Sequence, residues 1–170
     1  GAEVVLISAP TTLAPPASIT VKNVTTAAEM CDLVLSEVSD SDVLIMSAAV
    51  ADYTPTTSAA QKIKKSDSGL TIDLTKTIDI LEKAQGNFVK VGFSAESENL
   101  VPNAKEKIGR KSLDLIVAND ITDPDSGFGK DTNKVVIIDK QLQSESLPVL
   151  SKYEVGNEIL DRALQVLESK

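Results

Sequence analysis

Two groups of residues in this 170-residue chain have types and spacing suited to chemistry on phosphates. The run Gln61-Lys62-Ile63-Lys64-Lys65-Ser66 lies in a polar stretch and places three ammonium groups where a loop could close over an anion. Lys107 and Lys111 are four apart on a predicted helix, so both heads leave one face. Like charges at that spacing cost a few tenths of a kcal/mol, which a bound polyphosphate would offset. Asp52 follows the Ala-rich segment 48–51, and a carboxylate there could hold Mg²⁺ beside phosphates. Each feature has a plainer reading: solvated lysines, and a turn or cap aspartate.

Charge distribution points the same way. The net charge is −8, yet residues 62–111 hold 10 of the 17 basic residues and only 7 acids, a local net of +3. A cationic middle in an acidic protein suggests a local anion site, the alternative being a solvated lysine surface. The overall acidity argues against nucleic-acid partners.

Other chemistries are excluded within the chain. It has no histidine, so it cannot itself supply a Ser-His-Asp triad, a Cys-His dyad or a His-ligated metal. A single cysteine, Cys31, permits neither an internal disulfide nor a thiolate zinc cluster, and suits a reducing cytoplasm. The longest apolar runs fall far short of the roughly 20 residues of a membrane span. Neither GxGxxG nor GxxxxGK[ST] occurs; the nearest glycine pair is Gly127 and Gly129.

The elements that position these residues read as an α/β fold. Near-continuous apolar runs at 3–8, 42–47, 88–94 and 113–118 look like strands of a parallel sheet, buried on both faces. A further short strand is expected at 19–24. Helices are expected from a capping box at Thr26-Ala27-Ala28-Glu29 to about Val38, near 78–85, near 101–112, and from a second capping box at Ser151 to Glu154 onward. That last helix should turn Val155, Ile159, Ala163 and Leu167 inward. Residues 70–74 alternate apolar and polar, and 134–139 and 147–150 look paired; together they suggest a small antiparallel extension. No internal repeat or linker divides residues 1–170, so one domain is expected. In open α/β sheets ligands bind beyond the carboxyl ends of strands, which singles out 47–53, 92–99 and 118–123.

On these residues the chain resembles the phosphopantothenoylcysteine synthetase family, the second half of the bacterial bifunctional coenzyme A biosynthesis flavoprotein. The shared signatures are Gly1-Ala-Glu-Val-Val-Leu-Ile-Ser, Thr26-Ala-Ala-Glu-Met, Ala48-Ala-Val-Ala-Asp-Tyr, Lys62-Ile-Lys-Lys, Val91-Gly-Phe-Ser-Ala-Glu and Ala118-Asn-Asp, in the family's order and across nearly the whole chain. The resemblance implies a Rossmann-like, mostly parallel sheet with flanking helices and an antiparallel extension that forms a homodimer contact. It implies a cytoplasmic ligase in which CTP, with Mg²⁺, activates 4′-phosphopantothenate as an acyl-cytidylate and cysteine then forms the amide. No flavin is expected in this chain; a flavin-dependent decarboxylase is the implied fused or associated partner.

The resemblance assigns Lys62 to nucleotide phosphate and to charge stabilisation during adduct formation, on a loop acting as a flap. It places Met46, Ser47 and Ala48 in the nucleotide pocket, Asp52 near the nucleotide or its metal, and Phe93 packed on it. Ile78, Asp79, Ile80 and Leu81 match the segment at the base, and Lys107 and Lys111 would reach the phosphates. The family's Asn-Pro-Asp-Ile-Leu is here Thr77-Ile78-Asp79-Ile80-Leu81. The family's opening strand and loop, which carries an asparagine used on the acyl-cytidylate, has no counterpart before Gly1. The chain thus reads as a fragment or processed form, expected to bind nucleotide weakly and to complete the reaction poorly. Two other readings stand beside it: a non-catalytic nucleotide-binding and dimerisation module, and a Rossmann-type NAD(P) reductase.

Overall fold

The computed structural model describes residues 1–64, 69–122 and 129–170. In chain order the strands are β1 (Val5–Ser8), β2 (Thr20–Asn23), β3 (Val43–Met46), β4 (Tyr53–Pro55), β5 (Leu74–Lys76), β6 (Val89–Glu96), β7 (Leu115–Asp120), β8 (Thr132–Asn133), β9 (Val135–Asp139), β10 (Ser144–Ser146) and β11 (Leu150–Ser151). The helices are α1 (Ala27–Glu37), α2 (Ile80–Lys83), α3 (Leu100–Lys111) and α4 (Lys152–Glu168). They form two compact units, one of residues Gly1–Val34 and Ala49–Ile80, the other of Leu35–Ala48 and Leu81–Lys170.

The larger unit is built on a five-stranded sheet in the order β10-β9-β7-β6-β3. Strands β3, β6 and β7 run parallel, whereas β9 and β10 are antiparallel additions. Alternation along the strands splits the core into two layers. Val89, Val91, Leu115, Val117, Val135 and Ile137 face one side and pack against Val155, Ile159 and Ala163 of α4. Ile116, Ala118 and Ile138 face the other and pack against Ala104 and Ile108 of α3. A sheet covered on both faces by helices is the expected α/β class.

Local signals are realised closely. In α4, Ser151 Oγ accepts from Glu154 N–H at 3.2 Å, while Glu154 Oε2 accepts from Ser151 N–H at 2.9 Å. The same reciprocal box opens α1: Thr26 Oγ1 accepts from Glu29 N–H at 3.1 Å, and Glu29 Oε2 accepts from Thr26 N–H at 3.0 Å. Val155, Ile159 and Ala163 are buried as expected, and Leu167 is half-buried.

The smaller unit departs from expectation. It holds a two-stranded parallel sheet, β1-β2, and an antiparallel hairpin, β4-β5. Strand β1, read as buried on both faces, is only half-buried, with Val5 38% exposed, because among the described residues it has one ladder partner, β2. Strand β3 is also half-buried, because it is the sheet's edge. The alternating stretch 70–74 pairs only from Leu74 onward, where Pro55 stands opposite; Leu70 and Ile72 stay exposed.

The segment 134–150 extends the central sheet. The strand paired with β9 is β10, Ser144–Ser146, rather than the expected 147–150; of that stretch only Leu150 is in a strand, β11, which pairs with β8, and Pro148 between them lacks the N–H for a ladder. Among the described residues no helix is long and apolar enough to cross a membrane.

Candidate functional site

Strands β6 and β7 end side by side at Glu96 and Asp120, while β3 ends earlier, at Met46, with Ser47 and Ala48 beyond it. Met46 pairs in register with Gly92, and Glu96 with Asp120. Gly92 is closely packed against two leucine side chains, which a larger residue would have to displace. A Cβ on it would stand 2.8 Å from Leu113 Cδ1 and 3.3 Å from Leu81 Cδ1. Gly92→Ala is therefore expected to destabilise the larger unit by about 1–3 kcal/mol, read from denaturant melts. An unchanged midpoint would show that the two leucines move aside freely.

Next to Gly92, Phe93 is half-buried against the core layer shared with α4. One residue further, a polar cluster begins. Ser94 and Glu96 are two apart on a strand, so they share a face. Asn103 and Lys107 are four apart on α3, so they share a face of the helix. The two pairs meet. Lys107 Nζ donates to Glu96 Oε1 at 2.6 Å and to Ser94 Oγ at 2.7 Å; Ser94 Oγ donates to the same Glu96 oxygen. Asn103 Nδ2 donates to Glu96 Oε2 at 2.9 Å. The Glu96 side chain is 11% exposed and that of Lys107 32%.

Partial burial opposes ionisation of Glu96, but the hydrogen bonds from Lys107, Ser94 and Asn103 outweigh it and hold its carboxyl below the ordinary 4.5. A depressed carboxyl contributes stability that is fully present above the unfolded value and lost as pH falls through the folded one. Tm is therefore expected to drop on acidification below 4.5, and Glu96→Gln to flatten part of that drop. A Glu96→Gln curve parallel to wild type would refute the assignment. The capping carboxylates Glu29 and Glu154, also lowered by their hydrogen bonds, act in the same direction.

Lys111, the other lysine of the pair, ends α3, and its carbonyl accepts from Lys90 Nζ at 3.2 Å. Lys90 is 4% exposed within β6 and also donates to the Leu81 carbonyl at 3.0 Å, with its Nζ 5.8 Å from the Phe88 ring centroid. A buried ammonium is tolerable when carbonyls replace its water. Lys90 thereby ties together Leu81 and Lys111, two residues singled out in the sequence. Its own signal was a lone lysine inside the apolar run Phe88 to Phe93.

The smaller unit holds the other sequence-predicted residues. The Asp52 carbonyl accepts from Thr77 N–H at 2.9 Å, and Tyr53 pairs with Lys76, so the hairpin brings Asp52 next to the Ile78-Asp79-Ile80 segment. Ile80 is buried, Asp79 half-buried and Ile78 43% exposed. The Thr77 hydroxyl, in place of the family's asparagine, is buried with no hydrogen-bond partner. Asp52 and Lys62 are exposed, and no side-chain partner is seen for either among the described residues. Lys65, Ser66, Asp123 and Gly127 lie outside the described residues.

Two shallow clefts flank these features. One, about 180 Å³, lies beside Asp120, Lys134 and Leu147; the other, about 200 Å³, lies in the hairpin arm beside Ile63 and Ile72. Both are below the roughly 300 Å³ at which ligand pockets usually begin.

The fold is of the open α/β class, in which ligands bind beyond the carboxyl ends of the parallel strands. The chain belongs to the DNA/pantothenate metabolism flavoprotein C-terminal domain family, which it matches over residues 1–167. It is 43% identical over 164 residues to the coenzyme A biosynthesis bifunctional protein CoaBC of Bacillus subtilis, covering 94% of this chain and 40% of that protein. The Escherichia coli K12 CoaBC is 37% identical over 178 residues, with 100% and 43% covered. A relative named cysteine/cysteine sulfinic acid decarboxylase, from an unknown prokaryotic organism, is 38% identical, with 98% and 48% covered. The chain thus spans less than half the length of these relatives. The crystal structure of a CoaBC C-terminal domain superposes with a TM-score of 0.81 at 33% identity, over 99% of this chain and 76% of that one. A Cab2 mutant in complex with phosphopantothenate-cysteine shares the fold alone, with a TM-score of 0.69 at 13% identity, over 89% of this chain and 53% of that one.

Proposed function

We propose that the chain is the ligase part of a phosphopantothenate–cysteine ligase of coenzyme A biosynthesis. CTP activates the carboxylate of 4′-phosphopantothenate as an acyl-cytidylate and pyrophosphate leaves. The cysteine amine then attacks the acyl carbon, forming the amide and releasing CMP. The observation that carries this reading is the family match over residues 1–167, at 43% identity to a coenzyme A biosynthesis protein.

The residues suit the chemistry. It needs orientation and charge stabilisation, which a chain without histidine can supply. Lys62, exposed and without a described partner, is available to donate to the phosphate oxygens on which charge builds. Met46, Ser47 and Ala48 offer a low-relief strand end that lets a ligand approach the backbone, with Phe93 near by on β6. The segment Ile78 to Leu81 is assigned to the base, and Lys107 and Lys111 to the phosphates.

Mg²⁺ fits the donor set in one way. Among the described residues no cluster of three or more ligating side chains exists. A lone exposed carboxylate such as Asp52 suits an ion that takes most of its ligands from phosphates and water. When bound, the ion would neutralise phosphate charge. The exposed apolar residues Tyr53, Leu70, Ile72 and Leu74 of the hairpin arm support its assignment as the homodimer contact. Light scattering at micromolar concentration tests this, and a monomer mass rejects it.

The function is tested by calorimetric titration of CTP, ATP and NADPH in the presence of Mg²⁺. CTP-selective binding that weakens about 10-fold in Lys62→Gln, or is lost in Asp52→Ala, supports the ligase reading. Binding of NADPH instead would move the chain to the reductases, and silence with all three would reject a nucleotide site in this chain.

A further inference from the structure

Glu96 has no part in the proposed reaction, yet three donors from two elements converge on it. Lys107 Nζ, Ser94 Oγ and Glu96 Oε1 form a closed triangle, with Lys107 donating to both partners at 2.7 and 2.6 Å. Asn103 holds the second carboxylate oxygen at 2.9 Å. An ammonium has three N–H donors. The triangle uses two, leaving one on a side chain that is about a third exposed. Ser94 is 3% exposed and the Glu96 side chain 11%, so the side of the ammonium that makes these two bonds faces the protein. Asp120, across the ladder from Glu96, is turned to its own loop, with Oδ1 accepting from Thr122 N–H at 2.7 Å and from its hydroxyl at 2.6 Å.

A lysine so held differs from the mobile point charge that an unpaired lysine presents. Its charge is offset by a carboxylate at contact distance, so it adds little long-range attraction for anions. Its donor direction is fixed, so it favours an oxygen delivered to one place. We propose that Glu96 is a positioning residue of the nucleotide site: it orients Lys107 and offsets its charge, so that Lys107 reads a phosphate oxygen of a seated nucleotide and gives little grip on free polyphosphate. This rests on the nucleotide reading above. It adds that the strand end selects against inorganic polyphosphate, including the pyrophosphate that the reaction releases.

The test uses the full chain and two readouts. The first is the Lys107 ammonium resonance in ¹⁵N-lysine NMR without ligand. It is expected to persist in wild type, where solvent exchange is slowed by the triangle, and to vanish in Glu96→Gln. The second is calorimetric affinity for CTP and for inorganic tripolyphosphate across a salt series. Glu96→Gln exposes one positive charge, so tripolyphosphate is expected to bind roughly 3- to 10-fold tighter, with a steeper salt dependence. CTP is expected to gain less, so the preference for CTP falls.

Ser94→Ala keeps the ion pair and removes one leg of the triangle. It is expected to lower the CTP preference without changing the salt dependence, and it carries the test if Glu96→Gln does not fold. A wild-type preference and salt slope in both variants would overturn the inference and leave the nucleotide reading intact, with Glu96 a structural clasp. If wild type shows the Lys107 resonance but binds no CTP, the nucleotide reading itself fails, and the selective role falls with it.

Discussion

Lys62→Gln is expected to slow CTP-dependent pyrophosphate release by roughly 100- to 1000-fold, the cost of losing one donor aimed at developing charge. CTP affinity is expected to fall by less, about 10-fold, as for the loss of one charged hydrogen bond. The two losses differ because the phosphate oxygens carry more charge in the transition state than in the bound ground state. An amide nitrogen at this position still donates a hydrogen bond to a resting phosphate but cannot neutralise the charge that builds as the phosphoanhydride breaks. Lys62 is exposed, with no partner among the described residues, so Tm is expected to stay within the scatter of repeated melts. That separates a chemical loss from a folding loss. Equal falls in affinity and rate would reduce Lys62 to uniform binding, and an unchanged rate would remove it from the mechanism.

Ile138→Ala is expected to cost roughly 2–5 kcal/mol, the largest effect on stability. Ile138 is fully buried in β9, which is hydrogen-bonded on one side to β7 and on the other to β10. Its side chain lies in the layer between sheet and α3, with Ile108, Ile116 and Ala118. A strand bonded on both sides cannot shift to fill the space, so most of the cavity should persist. At about 2–4 °C per kcal/mol for a chain of this size, Tm should fall by roughly 10 °C. Leu164→Ala, at a residue 52% exposed on the open face of α4, serves as the control and is expected to change stability by about 0.5 kcal/mol or less. A loss below 1 kcal/mol at Ile138 would mean that α3 collapses onto the gap.

Residue patterns carried the fold class, both capping boxes and the inward face of α4. These depend on contacts three or four residues apart, or on a strand's own alternation, so the determining residues lie side by side in the chain. The strand ends that gather Met46, Ser47, Ala48, Glu96 and Asn119 also followed from sequence, because buried runs in an α/β pattern imply a parallel sheet and its carboxyl edge.

Tertiary structure alone decided the rest. Lys107 stood in the sequence as half of a like-charged pair; only the packing of α3 on β6, 11 residues back in the chain, gives it Glu96 as counter-ion. Lys90 became an internal tie because the carbonyls of Leu81 and Lys111 converge on it from 9 and 21 residues away. The alternation in β9 was legible, but not that it would bond antiparallel to β7 and enlarge the central sheet, since a strand's own residues do not name its neighbour. For the same reason β1 and β3 are less buried than their apolar runs predict. Apolar character states what a strand can tolerate, whereas exposure is set by how many strands and helices come to lie against it, which is a property of the assembled fold.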